Sequence, residues 1–235
     1  AGAVGRHLQD QLAAHGFTLG HEPDSIEFST LGGWIATRAS GMKKNRYGNI
    51  EEIVLDLTAV TALGALERRQ VAPRESVGLE PRLWMFGSEG KLGIITSAVV
   101  KVHPLPEVQR YDSVLFRDFT TGVAFMYELA QSGDWPASVR LVDNVQFEFS
   151  LALKPEATGW KALKSKLEKR LVTGVMGFDP KQMVACTLVF EGTQAEVDRQ
   201  VALVKAIAKK HRGMLAGGEN GSRGYQLTFG IAYIR

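Results

Sequence analysis

The sequence predicts an α+β fold in two parts, and three observations carry that prediction. Short β-like apolar runs occur at "EEIVLDLTAV", "KLGIITSAVVKVHPLP", "YDSVLF" and "MVACTLVFEG". Between them, apolar residues recur at helical spacing. Near the middle, Pro104 and Pro106 interrupt the pattern. A chain of 235 residues can bury a core in one large domain or two small ones. Because proline cannot donate to a ladder, the double proline is the candidate boundary, giving domains 1–106 and 107–235.

Taken in order, Val4, Leu8 and Leu12 recur every four residues and stop at Gly16, as in a short amphipathic helix. The stretch from Asp24 to Asn49 reads as loop and turn, since Gly32, Gly33, Gly41 and Gly48 interrupt it. "EEIVLDLTAV" and "GALERR" read as strands parted by a turn at Gly64, and "KLGIITSAVVKVHPLP" as a β segment closed by its prolines. Beyond the boundary "YDSVLF" reads as a strand. Phe119, Val123, Met126 and Ala130 then mark one helical face, and Trp160, Leu163, Leu167 and Leu171 a second. "MVACTLVFEG" is a strand, followed by a third helix on Val197, Val201, Val204 and Ala208 that ends near Gly213. Helices laid over a sheet produce this alternation.

Composition narrows the function. Hydrophobic residues make up 45% and charged residues 23%, as in ordinary globular proteins. No apolar run approaches the ~20 residues that span a bilayer. A net charge of +3 does not by itself imply a nucleic-acid partner. The lone Cys186 excludes an internal disulfide and a multi-cysteine metal site, and its strand-like surroundings read as a buried apolar position. His7, His15, His21, His103 and His211 lack metal-ligand spacing, and neither a nucleophile elbow nor an HExxH pattern is present. "KKNR" (Lys43 to Arg46) could attract an anion but reads by default as a solvated turn, and Arg140 with Asp143 reads as a structural ion pair. The chain starts without Met and stops inside the apolar "LTFGIAYIR", which reads as a fragment of a longer protein.

Two glycine-rich stretches stand out. From Asp24 to Ser40, glycines alternate with the hydroxyls of Ser25, Ser29, Thr30, Thr37 and Ser40. Composition leaves two readings open: a phosphate or polar cofactor edge lying along an extended loop, or a tight loop whose hydroxyls make turn hydrogen bonds. In "FGSEGKLGIITSAVV", Gly87, Gly90 and Gly93 recur every three residues. The dinucleotide fingerprint has similar spacing but opens a helix, whereas this run leads into a strand, so a Rossmann fold is rejected. Arg235 closes an apolar segment, where a guanidinium needs an anionic partner.

"GHEPDSIEFSTLGGWIATRASGMKKNRYGNIEEIV" and "GSEGKLGIITSAVVKVHPLPE" together resemble the FAD-binding domain of the vanillyl-alcohol oxidase and p-cresol methylhydroxylase superfamily. "SVRLVDNVQF", "ALKP", "GFDP", "LVFEG" and "RGYQLTFGIAYIR" resemble, in order, its alkyldihydroxyacetonephosphate synthase branch. The resemblance implies the second subdomain of the FAD-binding domain in 1–106 and part of an α+β cap domain in 107–235. It implies FAD contacts at Asp24, Ser25, Ile26, Glu27, Phe28, Ser29 and Thr30, at Thr37, Arg38, Ala39 and Ser40, and at Glu89, Gly90, Lys91, Leu92, Gly93, Ile94 and Ile95. Of these, Gly90 and Gly93 would let the cofactor approach closely, and Arg235 would bind the substrate phosphate.

The activity implied by the resemblance exchanges the acyl chain of acyl-dihydroxyacetone phosphate for a fatty alcohol, without net oxidation. An FAD-linked oxidase or dehydrogenase of a hydroxy acid is the alternative, and a folded non-catalytic module a third reading. The synthase reading places the upstream pyrophosphate loop, the catalytic tyrosine and the histidine cluster outside this sequence, leaving no catalytic residue here. It is compatible with peripheral membrane association, with a homodimer, and with a cytoplasmic location in bacteria or a peroxisomal one in eukaryotes.

Overall fold

The computed structural model describes residues 1–68, 72, 76, 78–152, 178–231 and 233. They form two compact units, Ala1–Pro106 with Phe229–Arg235, and Glu107–Thr228. The described residues from Phe229 onward thus cluster with the first unit. The helix read from Trp160 to Leu171 lies outside the described residues.

The first unit opens with α1 (Gly5–Ala14), followed by β1 (Phe17–Thr18). The loop reading of Asp24 to Asn49 is overturned, because two short helices occur there, α2 (Leu31–Thr37) and α3 (Lys44–Tyr47), and a third, α4 (Ile50–Ile53), follows directly. Gly32 and Gly33 weaken α2 by about 1 kcal/mol each relative to alanine. That cost is offset because Leu31, Trp34 and Ile35 share one face and are all buried. At the start of the helix, the Thr30 side chain accepts from the Gly33 amide at 3.1 Å. Burial of three large residues outweighs local propensity.

Strand β2 (Val54–Thr61) is central in a three-stranded antiparallel sheet, flanked by β3 (Gly64–Leu66) and β4 (Ile94–Val100). A 3-10 turn, Pro81–Met85, precedes β4. Pro104 does not simply end the β segment, since it belongs to β5 (His103–Pro104) and pairs with Phe17 of β1. A two-residue edge pairing tolerates proline because few ladder donors are required. Leu19, Ile26, Trp34, Ile50, Ile53 and Leu57 lead the core of this unit.

The second unit is built on β6 (Val108–Phe116), β7 (Ser138–Val142), β8 (Val184–Gly192) and β9 (Met214–Leu215). All pairings are antiparallel, in the order β7-β8-β6-β9. One face packs under α5 (Phe119–Gln131) and α7 (Gln194–Lys210), burying Phe116, Phe125, Leu129, Cys186, Leu188 and Val204. Val197, Val201, Val204 and Ala208 are buried, as the sequence spacing predicts. Burial pushes the Cys186 thiol up to about 12, so it packs as an apolar residue. α6 (Asn144–Ala152) begins where the Asp143 carboxylate accepts from the Gln146 amide at 2.8 Å.

For α5 the sequence identifies the helix but misplaces its face. Phe119, Val123 and Ala130 point outward, while Gly122, Phe125 and Leu129 are buried. The displaced position is Gly122, where a Cβ would stand 2.8 Å from a Leu141 methyl. A glycine that makes room for a neighbour is invisible to a count of large apolar residues.

The opposite sheet face carries α8 (Gly218–Ile231). Gly218, Gly221 and Gly224 recur every three residues, and added Cβ atoms there would meet Tyr111 O at 2.9 Å, Asp112 O at 2.2 Å and Thr187 Cγ2 at 2.5 Å. The helix backbone therefore lies directly on the strands. Gly221→Ala is expected to destabilise the fold by about 1–3 kcal/mol through overpacking. Gly230→Ala, in the same helix but facing open space, is expected to stabilise it by up to about 1 kcal/mol. Chemical denaturation of both variants checks the contrast.

Candidate functional site

The first implied cofactor stretch is a turn anchored by Ile26, which is 1% exposed. The amides of Ile26, Phe28 and Ser29 donate to the carbonyls of Pro23 and Ser25. Ser29 Oγ donates to Ser25 O at 2.8 Å and accepts from Trp34 Nε1 at 2.7 Å. The α2 amides next in line are also engaged, Leu31 with Ala3 O and Gly32 with Ala1 O. Glu27 and Phe28 are exposed, and the Phe28 ring meets Tyr233 edge-on at 5.3 Å.

The second and third stretches come together at the other end of α2. The Glu89 amide donates to Ala36 O at 2.8 Å and the Gly87 amide to Ile35 O at 3.2 Å, so the glycine turn caps the helix carbonyls. The first stretch lies at the opposite end, a helix length of roughly 10 Å away. Thr37 Oγ1 donates back to Gly33 O at 2.9 Å, and Ser40 Oγ donates to Asn49 Oδ1 at 3.1 Å. Arg38 pairs with Glu51 at 3.2 Å. Of the two compositional readings, turn hydrogen bonding describes the hydroxyls of Ser29, Thr30, Thr37 and Ser40.

Backbone strain concentrates at this junction. Arg38 (φ 53°) and Glu89 (φ 49°) are left-handed without being glycine, beside Gly87 and Gly90 at φ 76° and 79°. Such residues cost about 1–2 kcal/mol each and cluster where a surface must keep a set shape. The amides of Ser40, Gly90 and Leu92 make no hydrogen bond among the described residues. Lys91, Leu92 and Ile94 are exposed, and Ile95 is half-buried. Open amides, cations and exposed apolar side chains on one surface fit a dinucleotide's polar edge and ring.

At Gly93 a Cβ would stand 2.5 Å from Val60 O, so its lack of a side chain admits strand β2. Gly90 faces open space with positive φ, which suits a turn that presents its backbone. Arg235 lies outside the described residues.

Sequence reasoning missed what lies beneath the junction. Lys43 does not sit in a solvated turn. It is 4% exposed and paired with Glu22 at 2.7 Å. Two residues before Lys43, Gly41 passes so close to His21 that a Cβ would meet its Nδ1 at 2.9 Å. The imidazole is 2% exposed and packs edge-on against Trp34 at 5.0 Å. Neither ring nitrogen has a partner among the described residues. Burial holds its pKa down at about 4, against a weaker upward pull from Glu51. Only Gly41, a glycine shortly before a basic run, signals close packing here.

Comparison with known proteins decides the family. Residues 1–69 match the FAD binding domain model, and residues 105–219 match the model for the C-terminal domain of FAD linked oxidases. The chain belongs to the FAD-linked oxidase family. Within that family it is 47% identical to the alkyldihydroxyacetonephosphate synthase of Caenorhabditis elegans, over 100% of this chain and 40% of the relative. The synthase of Dictyostelium discoideum is 36% identical over 100% of this chain and 38% of its own length. A solved structure described as alkyldihydroxyacetonephosphate synthase in P212121 superposes with a TM-score of 0.85 at 34% identity, covering 99% of this chain and 41% of that one. Coverage by a mitochondrial cytochrome D-lactate dehydrogenase of Saccharomyces cerevisiae is narrower, 33% identity over 61% of this chain. The α+β units thus have the family's vanillyl-alcohol oxidase and p-cresol methylhydroxylase type of fold, and FAD is the family's cofactor. The chain spans about two fifths of the length of the synthases it matches.

His21 gives the site an acid sensitivity whose sign follows from burial. In the unfolded chain it takes a proton below about pH 6.5, but in the folded chain only near pH 4. Stability is therefore full above pH 6.5 and falls toward pH 4, by roughly 3 kcal/mol at most. His103, lowered by burial and by Lys101 and Arg46, acts in the same direction. Urea titrations across this range are expected to show a shallower acid loss for His21→Leu, with a residue of slope from His103.

Proposed function

We propose that the chain is the cofactor-and-cap segment of an FAD-dependent alkyldihydroxyacetonephosphate synthase-like enzyme. Such an enzyme replaces the acyl group of acyl-dihydroxyacetone phosphate with a fatty alcohol, forming an ether bond. The carrying observation is coverage: the named synthases align over the whole chain, whereas the D-lactate dehydrogenase aligns over 61% of it. Peripheral membrane association and a homodimer belong to the same reading of the whole protein.

In this reading 24–30, 37–40 and 89–95 contact FAD. The amides of Ser40, Gly90 and Leu92 donate to its polar edge, and Arg38 and Lys91 supply positive charge. Leu92 and Ile94 offer apolar surface to a ring. Bound there, the flavin supplies the reactive centre at which the two lipid substrates exchange. Arg235 anchors the substrate phosphate through charge-assisted hydrogen bonds. An FAD-linked oxidase of a hydroxy acid is the second reading, favoured by shorter matches such as that to the D-lactate dehydrogenase.

The test is an assay of the full-length gene product carrying this segment. With acyl-dihydroxyacetone phosphate and labelled fatty alcohol, label is expected in an ether-linked product. Flavin bleaching by a D-2-hydroxy acid without ether formation would establish the oxidase instead. Gly33→Val tests the site, because its added Cβ meets only Thr30 Oγ1, at 3.2 Å. The variant is expected to fold and lose flavin absorbance, and full flavin occupancy would count against the placement. Gly93→Val cannot serve, since it collides with Val60 first. Arg235→Ala is expected to raise the KM for the phosphate-bearing substrate about tenfold or more, the loss of one charge-assisted contact.

A further inference from the structure

The second implied cofactor stretch, 37–40, is gripped at two points by residues at the start of α4. Arg38 Nε pairs with Glu51 Oε1 at 3.2 Å, and Ser40 Oγ donates to Asn49 Oδ1 at 3.1 Å. Asn49 belongs to none of the three implied cofactor stretches. Its neighbours Tyr47, Ile50 and Ile53 are buried, the two isoleucines at 0% exposure. The gripping side is therefore anchored in the core, whereas Ser40 is exposed.

Asn49 has an ordinary explanation, since asparagine is favoured just ahead of a helix. Its amide donates to Glu52 Oε2 at 2.7 Å, and its carbonyl accepts from the amides of Glu52 and Ile53 at 3.0 and 3.2 Å. Serine or threonine would serve that place as well. Both are one atom too short to extend an acceptor to Ser40, and the helix start gives no reason for that reach. The approach to Asn49 is also set, because Gly48 holds φ 83° and a Cβ there would meet Glu52 Oε2 at 2.9 Å. With its main chain held on both sides, Asn49 presents Oδ1 at a fixed place.

The Ser40 hydroxyl proton is committed to Asn49, so this side chain has none to give a ligand. The segments around it are tied elsewhere: the Ala39 amide donates to Trp34 O at 2.8 Å and the Met42 amide to Glu22 O at 2.9 Å. Between these ties, the contact with Asn49 sets where Ser40 sits. We propose that Asn49 is a positioning residue for the cofactor. By accepting the Ser40 hydroxyl it aims the Ser40 backbone amide at the polar edge of the dinucleotide. Asn49 acts through Ser40 and touches no ligand itself. The inference rests on the flavin reading of 37–40 and deepens it, because it makes Ser40 a backbone contact and names what holds it.

The test is fluorescence titration of the full-length apoprotein with FAD. Ser40→Ala and Asn49→Ser are each expected to raise the dissociation constant about fivefold, the effect of one hydrogen bond. The double variant is expected to lose no more than either single, because both remove the same bond. Ser40→Thr restores the hydroxyl and is expected to recover most of the affinity lost in Ser40→Ala. Asn49→Ser keeps a favoured residue ahead of α4, so the apoprotein's thermal midpoint should stay near the parent's, which separates lost binding from unfolding. The visible circular dichroism of bound flavin should change alike in Ser40→Ala and Asn49→Ser, a signature that lost stability alone would not give. Parent affinity in Asn49→Ser, or losses that add in the double variant, would overturn the inference and leave the flavin reading intact. A full-length parent that takes up no FAD would overturn the flavin reading, and this inference with it.

Discussion

The buried Glu22–Lys43 ion pair is the constraint on which the proposed flavin surface depends. Its 2.7 Å contact closes the base of the segment that holds α2, with 24–30 leaving just after Glu22 and 37–40 returning just before Lys43. Glu22 also accepts from Gln9 Nε2 at 3.2 Å, and its carbonyl accepts from the Met42 amide at 2.9 Å, which ties α1 to both ends of the loop. Tyr47 lies below, its ring filling the space a side chain at Gly20 would need and meeting His103 edge-on. Loss of one partner from such a buried pair costs about 3–5 kcal/mol, because the other charge is left uncompensated. The surface above can be strained because the base beneath it is fixed.

Much of the fold was legible because apolar periodicity and burial coincide. Val197, Val201, Val204 and Ala208 spell out a helix whose every marked position is buried, and Cys186 occupies the strand interior its neighbours imply. The reading failed where tertiary packing overrides local signals. In α2, two glycines argue against a helix that Trp34 and Ile35 stabilise by burial. In α5, Gly122 belongs to the inner face because Leu141 fills its place.

The candidate site was legible mainly through resemblance. Residue types alone left cofactor binding and turn chemistry equally open, and the hydroxyls in fact satisfy the chain itself. The long-range contacts that bring Glu89 to Ala36, or Lys43 to Glu22, have no local signature. Glycine illustrates the limit: Gly90 supplies a positive φ, Gly93 admits a neighbouring strand, and Gly221 seats a helix on a sheet. One letter stands for three physical requirements.

The strand order of the second unit bears on how the protein is made. β6 and β7 follow one another in the chain yet do not pair; each pairs with β8, which begins only at Val184. Among the described strands no hairpin joins the main ladder, so closure of a long loop must precede it. On the ribosome, the nine residues of β6 stay without their β8 partner until that strand has emerged. An unpaired apolar strand is a template for association with other chains. The nascent protein is thus most exposed to aggregation in the interval between the emergence of β6 and that of β8.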